Sequence, residues 1–460
     1  MRLTFEEGTL LLRDFRQGDP VPPPFVWDAR VDHWRALALY YRQAVEYLRA
    51  SGTPFENTAP RYQRLDLRLR ETPALHPYQQ EALEGWKQGG CRGLVVLPTG
   101  AGKSLVGVHA IAHLGRSTLV VAPTIDLMNQ WYDLLCAHFD QEVGVLGGGY
   151  HQVEELTVTT YDSAYLHLDR YGDRFGLVLF DEVHHLPGET YSHAAQMCLA
   201  PYRLGLTATL ERADGRHVLL DTLVGPLLYE QGIRQLAGEY LAEYRVEHRK
   251  VDMVAEERAA YETAKAEYQA FLAAKNLKLG SAEGWKHFVQ LSSRSSEGRR
   301  AMLAYRLHRK LALGTVAKLR VLEEILKAHP RERVLVFTGD NETVYEISRR
   351  FLVPAITHLT PTVERRHLLA GFNQGEHLVL VTSKVLNEGV NIPEASVAVV
   401  LAGSATIREH VQRLGRILRR RQGKEAVLYE VVSRDTVEDQ ISRRRRRHPA
   451  YAQAQGHALL

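Results

Sequence analysis

The sequence predicts an α/β protein: two parallel-sheet domains in tandem, a small N-terminal α+β domain before them and an all-helical insertion between them. Three observations carry this. Short β-branched or leucine runs alternate with helical stretches twice along the chain, first over about residues 74–228 and again from 333 onward. The runs are nearly continuous rather than alternating, as strands buried on both faces of a parallel sheet are. At 460 residues the chain is also too long for a single core.

Within residues 1–70, Leu10-Leu11-Leu12 reads as a short strand and Pro20-Val21-Pro22-Pro23-Pro24 as a stiff breaker. Residues 31–48 read as a helix, because Trp34, Leu37, Leu39, Tyr41, Ala44, Val45 and Leu48 recur at roughly helical spacing. The first α/β domain spans residues 71–245, with strands at 93–97, 118–122, 156–160 and 177–180. Residues 254–315 break the rhythm: 256–275 is rich in Ala, Glu, Lys and Tyr and reads as a long helix, with more helix over 297–313. The second α/β domain, residues 316–460, has strands at 333–337, 378–381, 397–401 and 426–429.

The 45% hydrophobic and 24% charged fractions are those of an ordinary soluble protein, and the net charge of +4 announces no particular partner. Its distribution says more: five consecutive arginines occupy 443–447, and Arg413, Arg416, Arg419, Arg420 and Arg421 crowd one segment. Cys91, Cys136 and Cys198 are odd in number and widely spaced, which fits neither a disulfide framework nor a zinc site. With no signal-peptide pattern at residues 1–7 and no run long enough to span a bilayer, cytoplasmic residence without membrane attachment is the expectation.

Chemistry concentrates in two segments that each follow an apolar run. Leu97-Pro98-Thr99-Gly100-Ala101-Gly102-Lys103-Ser104 lies between a strand and the helical stretch 105–114. Such a glycine-rich turn exposes backbone N–H groups to phosphates, and a lysine neutralises the outer ones. The strict pattern begins with Gly where Leu97 stands. Asp181-Glu182-Val183-His184 ends a strand, where carboxylates face a nucleotide crevice. Asp181 and Ser104 are the expected Mg²⁺ ligands and Glu182 the base that activates water, so ATP and Mg²⁺ are the expected cofactors. In a third segment Gln412, Arg416 and Arg419 fall on one helical face. It is either a solvated basic face or the source of an arginine that reaches the γ-phosphate from the second domain.

In this order, these segments resemble a superfamily 2 nucleic-acid helicase, whose fold pairs two RecA-like domains. Leu75-His76-Pro77-Tyr78-Gln79 resembles the glutamine motif that recognises adenine. Residues 121–131 are similar to motif Ia, 204–209 to motif III, 382–391 to motif V and 412–419 to motif VI. The narrower resemblance is to the XPB-type DNA repair helicases of archaea and bacteria. It rests on Phe180-Asp181-Glu182-Val183-His184-His185-Leu186-Pro187 and on residues 206–216, with 1–70 similar to the damage-recognition domain and 254–315 to the thumb.

The resemblance implies an ATP-dependent 3′ to 5′ DNA helicase or translocase with a repair role and a nuclease partner. It places Gln79, Thr99, Gly100, Ala101, Gly102, Lys103, Ser104, Gly389 and Gln412 at the nucleotide. It places Lys103, Asp181, Glu182, Arg416 and Arg419 at its cleavage. Pro123, Thr124, Arg212, Asp214, Thr382 and Ser383 fall to DNA. Arg212-Ala213-Asp214 stands where the family has Arg-Glu-Asp, and Asn391 where it has Asp. His184 is expected to couple the nucleotide to motif III. Tyr261, Tyr268 and Phe271 are expected in the thumb core, and Lys275, Lys278, Arg294, Arg299 and Arg300 on its surface. The rival reading is an ATP-gated DNA-binding scaffold that recruits a nuclease with little unwinding.

Overall fold

The structure is a computed structural model, and it describes every residue except 17, 71–73, 211, 213, 237–239, 241–243, 280–281, 384–394, 403–425, 440–441 and 443–460. The described residues form three sheets. They divide into two compact units, the first built on Met1–Leu236 and the second on the described residues that follow.

The N-terminal sheet holds β1 (Arg2–Glu6), β2 (Thr9–Arg13), β3 (Val26–Asp28), β4 (His33–Leu37) and β5 (Glu56–Asn57), in the order β3-β4-β2-β1-β5. Helix Tyr41–Ala50 packs on it, joining Tyr41, Ala44, Val45 and Leu48 to Leu3, Leu10, Leu12 and Ala36. The helix read over 31–48 therefore begins only at Tyr41. Residues 33–37 are an antiparallel strand, with Trp34 opposite Leu12 and Ala36 opposite Leu10. Five residues can satisfy a period of two or of 3.6, and the neighbouring strand decides between them.

From there the chain crosses to the next sheet as a hydrogen-bonded strap. Arg61 grips the buried Asp173 carboxylate through two bonds of 2.6 and 2.7 Å. The Leu65 N–H donates to the Gly115 carbonyl at 2.9 Å, and the Ser117 N–H to that of Gln63 at 3.1 Å.

The second sheet comprises β6 (Arg92–Val96), β7 (Thr118–Ala122), β8 (Val143–Gly147), β9 (Tyr150–His151), β10 (Leu156–Thr160), β11 (Leu177–Asp181), β12 (Tyr202–Thr207) and β13 (Leu227–Glu230). Their order is β13-β6-β12-β11-β7-β10-β8-β9, and all pairs are parallel except the β8–β9 hairpin. The four strands read from the sequence are present to within a residue, and β8, β9, β12 and β13 add to them. Register aligns the strand ends. Thr207 lies beside Val96, Asp181 beside Leu206, Phe180 beside Val121 and Thr160 beside Ala122. The carboxyl ends of β6, β12, β11, β7 and β10 thus share one edge, where α/β sheets bind ligands.

The third sheet, in the second unit, comprises β14 (Tyr244–Val251), β15 (Val334–Phe337), β16 (Ala355–Ile356), β17 (Val379–Thr382), β18 (Val397–Val400) and β19 (Ala426–Ser433). It is wholly parallel in the order β14-β19-β18-β15-β17-β16. Residues 244 and 245, read with the first α/β domain, are the start of β14 in the second. Among the described residues four helices stand between β14 and β15: Ala255–Ala274, Ala282–Arg294 and Ser296–Leu313, which fall within the segment 254–315, and then Val316–Ala328. Tyr268 and Phe271 pack there with Phe288, Ala301 and Ala304, and Tyr261 with Met253 and Ala312. Lys275, Lys278, Arg294, Arg299 and Arg300 are all exposed. Among the described residues no helix is long and apolar enough to cross a membrane.

Candidate active site

The loop after β6 is shaped by its glycines. Gly100 and Gly102 sit at φ of +87° and +70°, and Gly102 is the N-cap of helix Lys103–Leu114. A Cβ on Gly102 would lie 2.4 Å from Gln79 Nε2, and a left-handed backbone costs an L-residue about 1–2 kcal/mol besides. Gly102→Ala is therefore expected to weaken nucleotide binding by about tenfold, measured with a fluorescent ATP analogue. Lys103 is buried, and its ammonium donates to the Leu97 carbonyl at 3.3 Å. Ser104 follows on the first helical turn, partly exposed.

Gln79, assigned to adenine by resemblance, braces this loop. It is 2% exposed, its Nε2 donates to the Ala101 carbonyl at 2.9 Å, and its Oε1 accepts the His76 N–H at 2.9 Å. The Tyr78 hydroxyl donates to the same Ala101 carbonyl at 2.9 Å.

Two strands away, Asp181 ends β11 and is held from three sides. The indole N–H of Trp131 donates to Oδ2 at 2.8 Å, the Glu182 N–H donates to Oδ1 at 2.9 Å, and the Tyr161 hydroxyl donates to the Asp181 carbonyl at 3.0 Å. Burial and the adjacent Glu182 carboxylate push the Asp181 carboxyl well above its ordinary pKa, while Trp131 and the Lys103 ammonium pull it down. In the sheet, β12 lies between β6, which leads into the Lys103 loop, and β11, which Asp181 ends.

Glu182 adopts a left-handed backbone at φ +45°. Strain of this kind collects where a side chain must be aimed. Its Oε2 lies 3.4 Å from His184 Nδ1. His184, fully buried, places Nδ1 2.9 Å from Thr207 Oγ1, whose own hydroxyl donates to the Thr209 carbonyl at 2.9 Å. With that proton committed, His184 must be the donor, so its Nδ1 carries a proton. Thr207 also accepts the Leu97 N–H on its carbonyl at 3.0 Å. His184, expected to couple the nucleotide to motif III, is hydrogen-bonded to Thr207 of that segment, which in turn bonds the start of the glycine-rich loop.

The donor set fits a magnesium nucleotide. Thr99 Oγ1 is buried without a hydrogen-bond partner among the described residues, in the loop whose glycines leave room for phosphate. Carboxylate and hydroxyl oxygens, the atoms of Asp181 and Ser104, are what Mg²⁺ selects.

The residues assigned to DNA are more scattered. Thr124 caps helix Ile125–His138, its Oγ1 accepting the Leu127 N–H, and Pro123 precedes it, both partly exposed. Arg212 forks onto Asp214 at 3.0 and 2.7 Å and donates to the His184 carbonyl at 2.5 Å, so this pair braces the Asp181–His184 turn. In the second unit, Thr382 and Ser383 are both buried, the Thr382 hydroxyl donating to the Ser383 carbonyl at 3.3 Å. Gly389, Asn391, Gln412, Arg416, Arg419 and the arginine run at 443–447 lie outside the described residues.

Sequence reasoning gave no role to Trp131 or Tyr161. Trp131 stands 50 residues before Asp181, and only the pairing of β7 with β11 brings their elements together.

Comparison with known proteins adds three family matches. Residues 3–59 match the Xeroderma pigmentosum group B helicase damage recognition domain, 72–212 the Type III restriction enzyme, res subunit, and 317–421 the helicase conserved C-terminal domain. The chain is 39% identical over 428 residues to the DNA 3′-5′ translocase XPB2 of Sulfurisphaera tokodaii, covering 93% of this chain and 97% of that one. It is 33% identical to the DNA 3′-5′ helicase XPB of Mycobacterium tuberculosis, over 81% of this chain and 63% of that protein. With the XPB/SSL2 helicase/translocase subunit of the general transcription and DNA repair factor IIH of Saccharomyces cerevisiae it shares 27% identity, over 86% of this chain and 45% of that protein. In fold it is similar to the Pyrococcus furiosus Hef helicase domain, with a TM-score of 0.54 at 17% identity, covering 81% of this chain and 98% of that one.

Proposed function

The chain belongs to the XPB family of DNA 3′-5′ helicases and translocases, and on that premise we propose that it hydrolyses ATP at the edge of its first parallel sheet to drive 3′ to 5′ movement on DNA during repair. The observation that supports the site assignment is the hydrogen-bonded path from His184, whose Nδ1 lies 3.4 Å from Glu182 Oε2, through Thr207 to the phosphate loop.

In this reading Lys103 neutralises the outer phosphates, while the loop 99–102 cradles them through its N–H groups. Ser104 and Asp181 hold Mg²⁺, which when bound screens the phosphate oxygens. Glu182 takes the proton of the attacking water, its carboxylate aimed by the left-handed turn at its own Cα. Arg416 and Arg419 supply positive charge to the γ-phosphate, with Gln412 and Gly389 beside the nucleotide. These four assignments rest on the sequence: on the family resemblance and, for Gln412, Arg416 and Arg419, on their spacing along one helical face.

Pro123 and Thr124, with Thr382 and Ser383, meet the DNA backbone. Such contacts are to phosphate and blind to sequence. Of the first pair Thr124 is the better donor, since proline has no N–H. Arg212 and Asp214, braced against the Asp181–His184 turn, lie where duplex opening is linked to the ATP site. The exposed cations of the helical insertion suit a phosphate clamp, and a nuclease is the expected protein partner.

The test is ATP turnover with single-stranded DNA, forked DNA and RNA, alongside displacement of streptavidin from biotinylated DNA. DNA should stimulate turnover strongly and RNA little, with ATP-dependent displacement. Turnover indifferent to every polynucleotide would end the reading. Binding without displacement would instead indicate a nucleotide-gated scaffold.

A further inference from the structure

We propose that Trp131 is a positioning residue that ties the magnesium-holding carboxylate of Asp181 to the DNA-facing end of helix Ile125–His138. The proposal rests on the assignments just given to Asp181 and Thr124.

Trp131 is 2% exposed, yet its one polar atom is spent on Asp181 Oδ2 at 2.8 Å. Its ring is held against the phosphate-loop helix. A Cβ on Gly107 would come within 2.7 Å of Trp131 Cη2, so the absence of a side chain there is what admits the indole. The tryptophan therefore touches both the helix that begins at Lys103 and the carboxylate opposite it.

Thr124, the N-cap of the same helix, lies seven residues earlier. Seven residues are about two turns, so Thr124 and Trp131 lie on one face, about 10 Å apart along the axis. A helix of this length moves as a rod, and a shift of about 1 Å is enough to spoil a 2.8 Å bond. Phosphate engaged at Thr124 fixes the rod, and with it the indole N–H on Oδ2. The Glu182 N–H holds the other oxygen and cannot substitute, because it belongs to the same turn as Asp181 and carries no information from elsewhere.

The experiment compares Trp131→Phe with Trp86→Phe in the full chain. Trp86 is also fully buried and also donates its indole N–H, to the Arg203 carbonyl at 2.9 Å, but does not touch Asp181. Both variants lose a buried donor and ring volume, so loss of thermal stability alone distinguishes nothing. Mn²⁺ binding in the presence of a non-hydrolysable ATP analogue is read by electron paramagnetic resonance, with and without single-stranded DNA. Trp131→Phe should weaken Mn²⁺ binding about tenfold and lose the gain that DNA confers, as expected for a lost bond to a charged acceptor. Trp86→Phe should keep both. Mn²⁺ affinity and DNA response unchanged in Trp131→Phe would overturn the proposal. If wild-type turnover ignores DNA, the motor reading fails instead, and the DNA link proposed here falls with it; if it responds and Trp131→Phe behaves as wild type, only the role of Trp131 falls.

Discussion

Glu182→Gln is expected to lower ATP turnover by about 10²–10⁴-fold, the usual contribution of a positioned general base. ATP and DNA binding should survive. The substitution keeps the size of the side chain and its contact near His184 Nδ1, and removes only the ability to accept a proton from water. The effect should fall on the chemical step, leaving KM for ATP little changed. Single-turnover hydrolysis with prebound ATP checks this directly. If the variant hydrolyses prebound ATP at the wild-type rate, Glu182 is not the base. If it fails to bind ATP, the side chain shapes the loop rather than the chemistry. The left-handed backbone at Glu182 makes a slowed chemical step the expected result, because a merely structural acid at that turn would not require a strained conformation.

Lys318→Met is expected to destabilise the second unit by about 3–5 kcal/mol, the cost of leaving one member of a buried ion pair alone. Lys318 and Glu438 are each 1% exposed and meet at 2.6 Å. The same ammonium donates to the Leu313 carbonyl at 3.1 Å and to that of Leu401, joining the end of helix Ser296–Leu313 to the end of β18. Glu438 also accepts the Ser433 N–H at 3.0 Å, and the Ser433 hydroxyl donates to the Ala312 carbonyl at 2.7 Å. One charge therefore anchors the helical insertion to its sheet. At roughly 2–4 °C per kcal/mol for a unit of this size, calorimetry should show its transition lowered by about 6–20 °C. Lys318→Met combined with Glu438→Gln should recover part of the loss, since the amide still accepts from Ser433 without a stranded charge. A transition unmoved by Lys318→Met would mean that the Ser433–Ala312 bond and the apolar packing around Met253, Tyr261 and Ala312, not the Lys318 ammonium, hold the insertion.

Legibility in the sequence ends where contacts become long-range. The loop 97–104 and Asp181-Glu182 could be read because their chemistry is local. Glycines at a turn, a lysine and hydroxyl at a helix start, and carboxylates ending an apolar strand are fixed by a few adjacent residues. The long helices 255–274 and 296–313 could be read for the same reason, since a helix-forming composition sustained over several turns is a local property. The five residues at 33–37 could not, because a segment that short fits either period until Thr9–Arg13 pairs with it. Nor could the edge strand Tyr244–Val251 be assigned to the second sheet, because its partner Ala426–Ser433 lies some 180 residues away.

By itself, then, the sequence determined that this protein has two parallel-sheet domains, that the first carries a glycine-rich loop and a paired acid of the kind expected at a triphosphate, and that the whole resembles an XPB-type helicase. Tertiary structure alone decided what those residues touch. Strand order put Thr207 between the loop and Asp181, laid Trp131 on the aspartate, and turned Gln79 and Arg212 into braces. The physical reason is range: backbone conformation and helix periodicity follow from near neighbours, whereas a hydrogen bond such as Trp131 to Asp181 exists only once β7 and β11 lie side by side.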